Sequence, residues 1–294
     1  MQAYIVNLVT LISINAVLAI TLNFIMGYAG IFSMAHAVFF GVGAYTAAYF
    51  ALNFSASFFL AVPAAMLVSA VLSLILALPA LRVRGEYFVA ASLGLQVLGV
   101  TIFAEWKGLT GGLGGLIGIP PVEFFGYSLT SATQYMILAL ACLVLVLLIT
   151  GTLLRSSFGR NLKAIRDSES ASHAFGKNVA TLKTLSVVVS SALSAVAGAL
   201  YAFYMGFINV ESFTLDTSVL LMAMVIIGGT GTLLGPIVGT LLLMLLPTLF
   251  SYMWFLPATE IGSIQQIAYG TAMILLMIFR PGGLVGASHK QGAK

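Results

Sequence analysis

Few side chains in this sequence could do covalent chemistry, and those few lack the company that chemistry needs. Ser33 and His36 stand three residues apart and would share a helix face, as a nucleophile and its base could. No carboxylate in the first 81 residues could orient that imidazole, and no second histidine falls within an apolar segment. HExxH and GxSxG patterns are absent, and Cys142 has no polar neighbour in sequence. The expectation for His36 is a bond to a neighbouring helix, or a place along a polar passage. A single cysteine also excludes an internal disulfide or a multi-cysteine metal site.

Energised transport has its own signatures. A proton- or ion-driven carrier places an ionisable group in mid-membrane, whereas all eight acids here fall at the ends of apolar segments or between them. A pump that burns its own nucleotide needs a phosphate-cradling GxxxxGK[ST] loop. The Gly176-Lys177 pair has Ala171 in place of the first glycine and Asn178 after it. The chain therefore carries no cofactor or motor of its own. A passive channel and a permease driven by a separate ATPase both remain open.

The elements that must position these residues are membrane helices. Of 294 residues, 61% are hydrophobic and 7% charged, and the mean hydropathy is +1.11. Apolar segments lie near 3–26, 33–51, 56–80, 86–106, 134–154, 184–206, 216–234, 236–256 and 263–280. Runs of about 18 or more apolar residues read as spans, giving an all-α polytopic protein of about nine helices (eight to ten) in one domain, 1–294. Met1 to Gly27 lacks the basic residues of a cleavable signal. The second span opens in GYAGIFSMAHAVFFGVGAY, glycine-rich enough to be a broken or re-entrant helix. Small residues recur every four positions at Gly231, Gly235 and Gly239, at Ala195 and Ala199, and at Gly198 and Ala202, the spacing of close helix contacts.

Basic residues favour cytoplasmic loops. Arg82 and Arg84, then Arg155, Arg160, Lys163, Arg166, Lys177 and Lys183, then Arg280, Lys290 and Lys294 fall on one side, leaving Lys107 opposite. The 155–183 loop and the carboxyl terminus are thus expected in the cytoplasm. A net charge of +4 reflects this sidedness and does not point to nucleic acid.

The polar island RSSFGRNLKAIRDSESASHAFG is expected to form one helix from about Arg160 to Phe175, closed by Gly176 in the left-handed conformation. Phe158, Leu162 and Ile165 make a partial apolar stripe. For one helix the charges are badly ordered: Arg160, Lys163 and Arg166 crowd its amino-terminal half, where the macrodipole disfavours cations, and Asp167 and Glu169 come later. Two readings stand: a loop that only sets topology, with contact to anionic lipid, or a helix that docks into a partner's groove.

These residues carry a resemblance. RSSFGRNLKAIRDSESASHAFGKNV resembles the ATPase-contacting loop of branched-chain amino-acid ABC importer permeases. GYAGIFSMAHAVFFGVGAYTAA, RVRGEYFVAASLG followed by TGGLGGLIGIP, GGTGTLLGPIVG and FRPGGLVG agree in order, closer to the M-type subunit. Ser172, His173, Lys177 and Leu113 depart from the family's usual residues. The resemblance implies a type II-like importer permease of the bacterial inner membrane. It would pair with a second permease, two cytoplasmic ATPases and an extracytoplasmic solute-binding protein. Urea or short amides are the rival substrates. Carried over by position, the ATPase-coupling residues are Phe158, Gly159, Arg160, Leu162, Ala164, Ile165, Arg166, Asp167, Glu169, Ala171 and Gly176. Asn23, Ser33, His36 and Tyr45, the polar residues around the glycine-rich break, are the candidates for the translocation pathway.

Overall fold

A computed structural model describes residues 2–80, 85–124, 127–251 and, beyond these, 267, 270, 271, 274 and 282–285. Helix α1 (Gln2–Asn23) runs into a π-turn (Phe24–Tyr28), and a non-helical stretch leads to α2 (His36–Phe54). α3 (Phe58–Ala80) and α4 (Gly85–Glu105) follow. Then come short α5 (Lys107–Thr110) and three two-residue strands, β1 (Leu116–Ile117), β2 (Glu123–Phe124) and β3 (Tyr127–Ser128). The chain continues through α6 (Ala132–Arg155), α7 (Ser157–Asp167), α8 (Glu169–Ala174) and α9 (Val179–Met205). It ends its described course with β4 (Phe207–Ile208), α10 (Leu215–Gly228) and α11 (Gly235–Ser251). The first eight expected spans each meet a helix. Of the ninth only 267, 270, 271 and 274 are described, all helical, and Arg82, Arg84, Arg280, Lys290 and Lys294 lie outside the described residues.

Residues 16–29 are buried without interruption, so α1 and its π-turn form the axis of the bundle. α6, α9, α10 and α11 pack round it, and α2 packs on α9 and α3. Small residues set these distances, as the spacing predicts. A Cβ on Gly43 of α2 would strike the backbone of Ala195, and one on Gly198 the backbone of Phe40 and Ala44. Gly239 meets α10 at Met224 and Gly228 in the same way.

Hydroxyls and one amide cross-link the helices. Ser190 Oγ donates to the Thr21 carbonyl at 2.6 Å, and Ser69 Oγ to that of Ser191 at 2.9 Å. Gln96 Nε2 donates to Phe213 O at 2.8 Å. Such bonds contribute about 0.6 kcal/mol each on average within membranes, but they fix register where apolar packing alone would allow sliding. The outward faces are aliphatic: Ile137, Leu140, Val144, Leu145 and Leu148 on α6, and Leu93, Val97, Leu98 and Ile102 on α4, are exposed. In water that surface would be a gross liability; against lipid it is the expected one. Opposite the α7 end, β1 pairs antiparallel with β4, Leu116 facing Ile208, and ties the TGGLGG turn to the end of α9.

Candidate functional site

The polar island folds as two helices, which corrects the single helix expected over Arg160–Phe175. The break is at Ser168, whose extended backbone (φ −158°) frees its hydroxyl to accept from Ala171 N–H at 3.3 Å, an N-cap for α8. The break resolves the awkward charge order at Arg166 and Glu169, while Asp167 closes α7 paired with Arg166. Arg166 now lies in the last turn of α7 and Glu169 in the first turn of α8, each where the macrodipole favours it. Gly176 is left-handed (φ +73°), as expected. Lys177 N–H bonds to Ser172 O and Gly176 N–H to His173 O, the paired bonds of a Schellman ending.

The apolar stripe of α7 faces inward. Leu162 and Ile165 are buried and Phe158 is half-buried against the core, with its ring stacked on Phe24 of the π-turn at 6.3 Å. Gly159 is buried where a Cβ would strike the backbone of Leu154 at the end of α6. Phe158, Leu162 and Ile165, which the docking reading would place in a partner's groove, are covered by this chain's own bundle.

Three side chains of α7 hold the π-turn. Phe158 stacks on Phe24, and Lys163 Nζ sits 5.5 Å from the centre of the Tyr28 ring. Arg166 Nη1 donates to the Gly27 carbonyl at 2.8 Å. A π-turn leaves backbone groups out of the helical ladder, and such irregularities recur at functional sites. Here the guanidinium satisfies one of them.

The same point receives the glycine-rich turn between α10 and α11. Asn23 Oδ1 accepts from Gly231 N–H at 2.9 Å and its Nδ2 donates to Thr232 O at 2.8 Å. Gly27 and Gly231 approach so closely that a Cβ on either would meet the other's backbone. Near the carboxyl end, Leu284 and Val285 N–H donate to Ile227 and Gly228 at the end of α10. Four of the quoted motifs thus meet at one place: GYAG, the polar island, GGTGTLLG and the GGLV of the last, residues 282–285.

A model of the family described as "Branched-chain amino acid transport system / permease component" matches residues 4–279. The chain belongs to that family. It is 28% identical over 309 residues to the high-affinity branched-chain amino acid transport system permease proteins LivM of Salmonella typhimurium and Escherichia coli, covering 97% of this chain and 71% of each relative. A probable branched-chain amino acid transport permease protein LivM of Methanocaldococcus jannaschii is 26% identical over 234 residues, 77% of this chain and 67% of the relative. No solved structure matches the chain. As a permease of this family it is a helical, multi-pass membrane protein and the M-type subunit of an ABC transporter, not an enzyme by itself.

Within this permease the coupling candidates divide by face. Arg160, Arg166, Asp167, Glu169, Ala171 and Gly176 are exposed, Ala164 is half-buried, and Gly159, Leu162 and Ile165 are buried. Arg160 Nη1 donates to Arg155 O at 3.0 Å, and Glu169 pairs with Lys183 at 2.7 Å, pinning α8 to the start of α9. Phe175 is 83% exposed at the end of α8. The sequence reading used Phe175 only as the end of the expected helix and gave it no role.

The pathway candidates are all buried. Asn23 is spent on the α10–α11 turn, as described. Ser33 Oγ accepts from Ala35 N–H at 3.3 Å, and His36 Nε2 lies 2.9 Å from Thr21 Oγ1. Tyr45 packs in an aromatic cluster with Phe103 and Phe213, its hydroxyl buried without a hydrogen-bond partner among the described residues. The amides that open α2 are capped by serines: Met34 N–H by Ser92 Oγ and Ala37 N–H by Ser218 Oγ, both at 3.0 Å. Among the described residues no group of His, Cys, Asp and Glu could hold a metal ion.

Proposed function

We propose that this chain takes up branched-chain, hydrophobic amino acids across the bacterial inner membrane as one of two permease subunits. Two cytoplasmic ATPases drive it and an extracytoplasmic solute-binding protein feeds it. The α7 end, the 155–183 loop and the carboxyl terminus are cytoplasmic. The exposed residues of α7 and α8, Arg160, Asp167, Glu169, Ala171 and Phe175 among them, meet an ATPase. Phe158, Leu162, Ile165 and Arg166 carry its movement inward to the π-turn. The observation that carries this reading is the hold of α7 on the axis of the bundle: a short charged helix outside the spans is keyed into α1 by a ring, an ammonium and a guanidinium. A loop that only sets topology has no use for that joint.

Substrate passage is assigned to the irregular stretch between the π-turn and α2, since non-helical backbone at membrane depth must face protein or water. Ser33 and His36 mark its upper end, and Asn23 and Tyr45 brace the helices on either side. The experiment is reconstitution. The purified chain should hydrolyse no ATP, and uptake of labelled leucine into vesicles should require ATPase subunits supplied with it. Leucine flux down a gradient through this chain alone would make it a channel instead. Uptake of urea but not leucine would transfer it to the rival substrate.

A further inference from the structure

The stretch from Ala29 to Ala35, assigned above to substrate passage, has a burial pattern that this assignment alone does not explain. Burial alternates along it: Ile31, Ser33 and Ala35 are buried, while Gly30 and Phe32 are exposed and Met34 is partly so. That is the two-residue period of an extended chain with one covered face. The stretch also climbs into the membrane. It leaves the bundle axis at Tyr28, beside α7, yet His36 is bonded to Thr21, seven residues back along α1, a rise of about 10 Å in a hydrocarbon core of about 30 Å.

Phe32, midway in sequence between Tyr28 and His36, is 48% exposed. Among the described residues no hydrogen bond satisfies its N–H or carbonyl. Lipid cannot solvate such backbone, so this face looks onto water or a partner. Gly30, two residues before Phe32, packs on Arg166: a Cβ placed there would come within 3.2 Å of Arg166 Cγ. The residue that binds Gly27 O therefore also touches the root of the Phe32 segment.

On the reading proposed above, we infer that Phe32 is the cytoplasmic gate of the passage, an apolar ring on an extended strap, and that Arg166 is the lever that moves it. Movement of α7 on the ATPase shifts the guanidinium, and the strap at Gly27–Gly30 follows. Phe32 then swings into or out of the water-filled path between the two permeases. A bare ring suits a hydrophobic amino acid, since it blocks water and ions when closed and offers the passing side chain an apolar surface when open.

The test uses the complete complex in inside-out membrane vesicles, with Phe32→Cys in a Cys142→Ser background and a membrane-impermeant charged maleimide. Leu148→Cys, on the aliphatic face of α6, is the lipid-facing control, and Ala180→Cys, exposed at the start of α9, the wet one. ATP with vanadate should change the labelling rate of Phe32→Cys by about tenfold or more, as burial or release of one aromatic position implies. Ala180→Cys should label in both states and Leu148→Cys in neither. Arg166→Ala should abolish the dependence on nucleotide. Met34→Cys, on the same face, repeats the test if Phe32→Cys does not assemble. Silence in both states would place this face against the second permease, and equal labelling in both would make it wet but not a gate; either overturns the inference. Failure of the transport reading shows differently, as wild-type vesicles with no ATP-dependent leucine movement whatever the labelling.

Discussion

Asn23 holds Gly231, 208 residues away in sequence, accepting its N–H at 2.9 Å while donating to the carbonyl of the next residue, Thr232, at 2.8 Å. One amide side chain thereby closes two backbone groups that the glycine-rich turn leaves open, in a buried place where unsatisfied groups are costly. The bond joins the end of α1 to the α10–α11 turn, and it explains a fully buried asparagine at the end of that helix without any contact to substrate.

Asn23→Leu should therefore cost about 1–3 kcal/mol for each group left unsatisfied, read as a lower melting temperature of the detergent-solubilised protein. Asn23→Asp keeps the acceptor for Gly231 N–H but sets a carboxylate oxygen against Thr232 O, and should be nearly as damaging. Asn23→Leu melting like the wild type would show that the turn is held by other contacts.

Leu162 and Phe175 separate the two faces of the coupling loop. Leu162 is fully buried in this chain, and a large-to-small change at such a site costs about 2–5 kcal/mol. Leu162→Ser should lower thermal stability and uptake together. Phe175→Ser, at a position 83% exposed, should leave the melting temperature unchanged and reduce co-purification of the ATPase. The opposite pattern would mean that the stripe on α7, and not the tip of α8, meets the partner.

Much of this was legible in the sequence, and the failures have physical reasons. The first eight spans could be read because length and apolarity decide them. The break in the second could be read because glycines and Ser33 interrupt a helix that lipid would otherwise enforce. The charge order of the polar island held the answer to its fold: Arg166 and Glu169 are misplaced in one helix and well placed in two, with Ser168 as the N-cap between them. What periodicity could not give was the neighbour. An amphipathic stripe states that Phe158, Leu162 and Ile165 are covered, not whether the cover is a partner or the chain's own π-turn. Phe32 was invisible for the converse reason, since an apolar residue among apolar residues carries no mark of exposure.

Ser168→Ala tests the two-helix reading. Loss of the N-cap costs about 1 kcal/mol, local to α8, so global melting should hardly move. Amide exchange at Ala171 and Ser172 should speed up several-fold, while exchange in α7 stays slow. Equal acceleration in both helices would mean that they unfold as one unit and that the break is not a boundary.

Sidedness follows from the basic clusters and is tested with single cysteines in a Cys142→Ser background. A cysteine at Ser170, in α8, should resist an impermeant thiol reagent in intact cells and react in inside-out vesicles. One at Ser128, in β3 at the opposite end, should react in intact cells. Both positions are exposed, so silence cannot be blamed on burial. The reverse pattern would invert the protein and remove the ATPases from the α7 end.

Arg166→Lys is the most discriminating single change. Lysine keeps the charge in the last turn of α7, and with it the favourable interaction with the helix terminus. It loses the guanidinium geometry that lets one side chain donate to Gly27 O at 2.8 Å and to Asp167 Oδ1 at 3.0 Å through separate nitrogens. If the charge alone matters, uptake should be near normal. If the joint to the π-turn transmits movement, uptake should fall about tenfold, the equivalent of one charge-assisted hydrogen bond. ATPase co-purification should stay at the wild-type level, because the exposed face of α8 is untouched. The rate of ATP hydrolysis by the assembled complex completes the measurement. Hydrolysis that continues while leucine uptake is lost is the signature of a severed transmission, and hydrolysis and uptake falling in proportion would place Arg166 in ATPase docking instead.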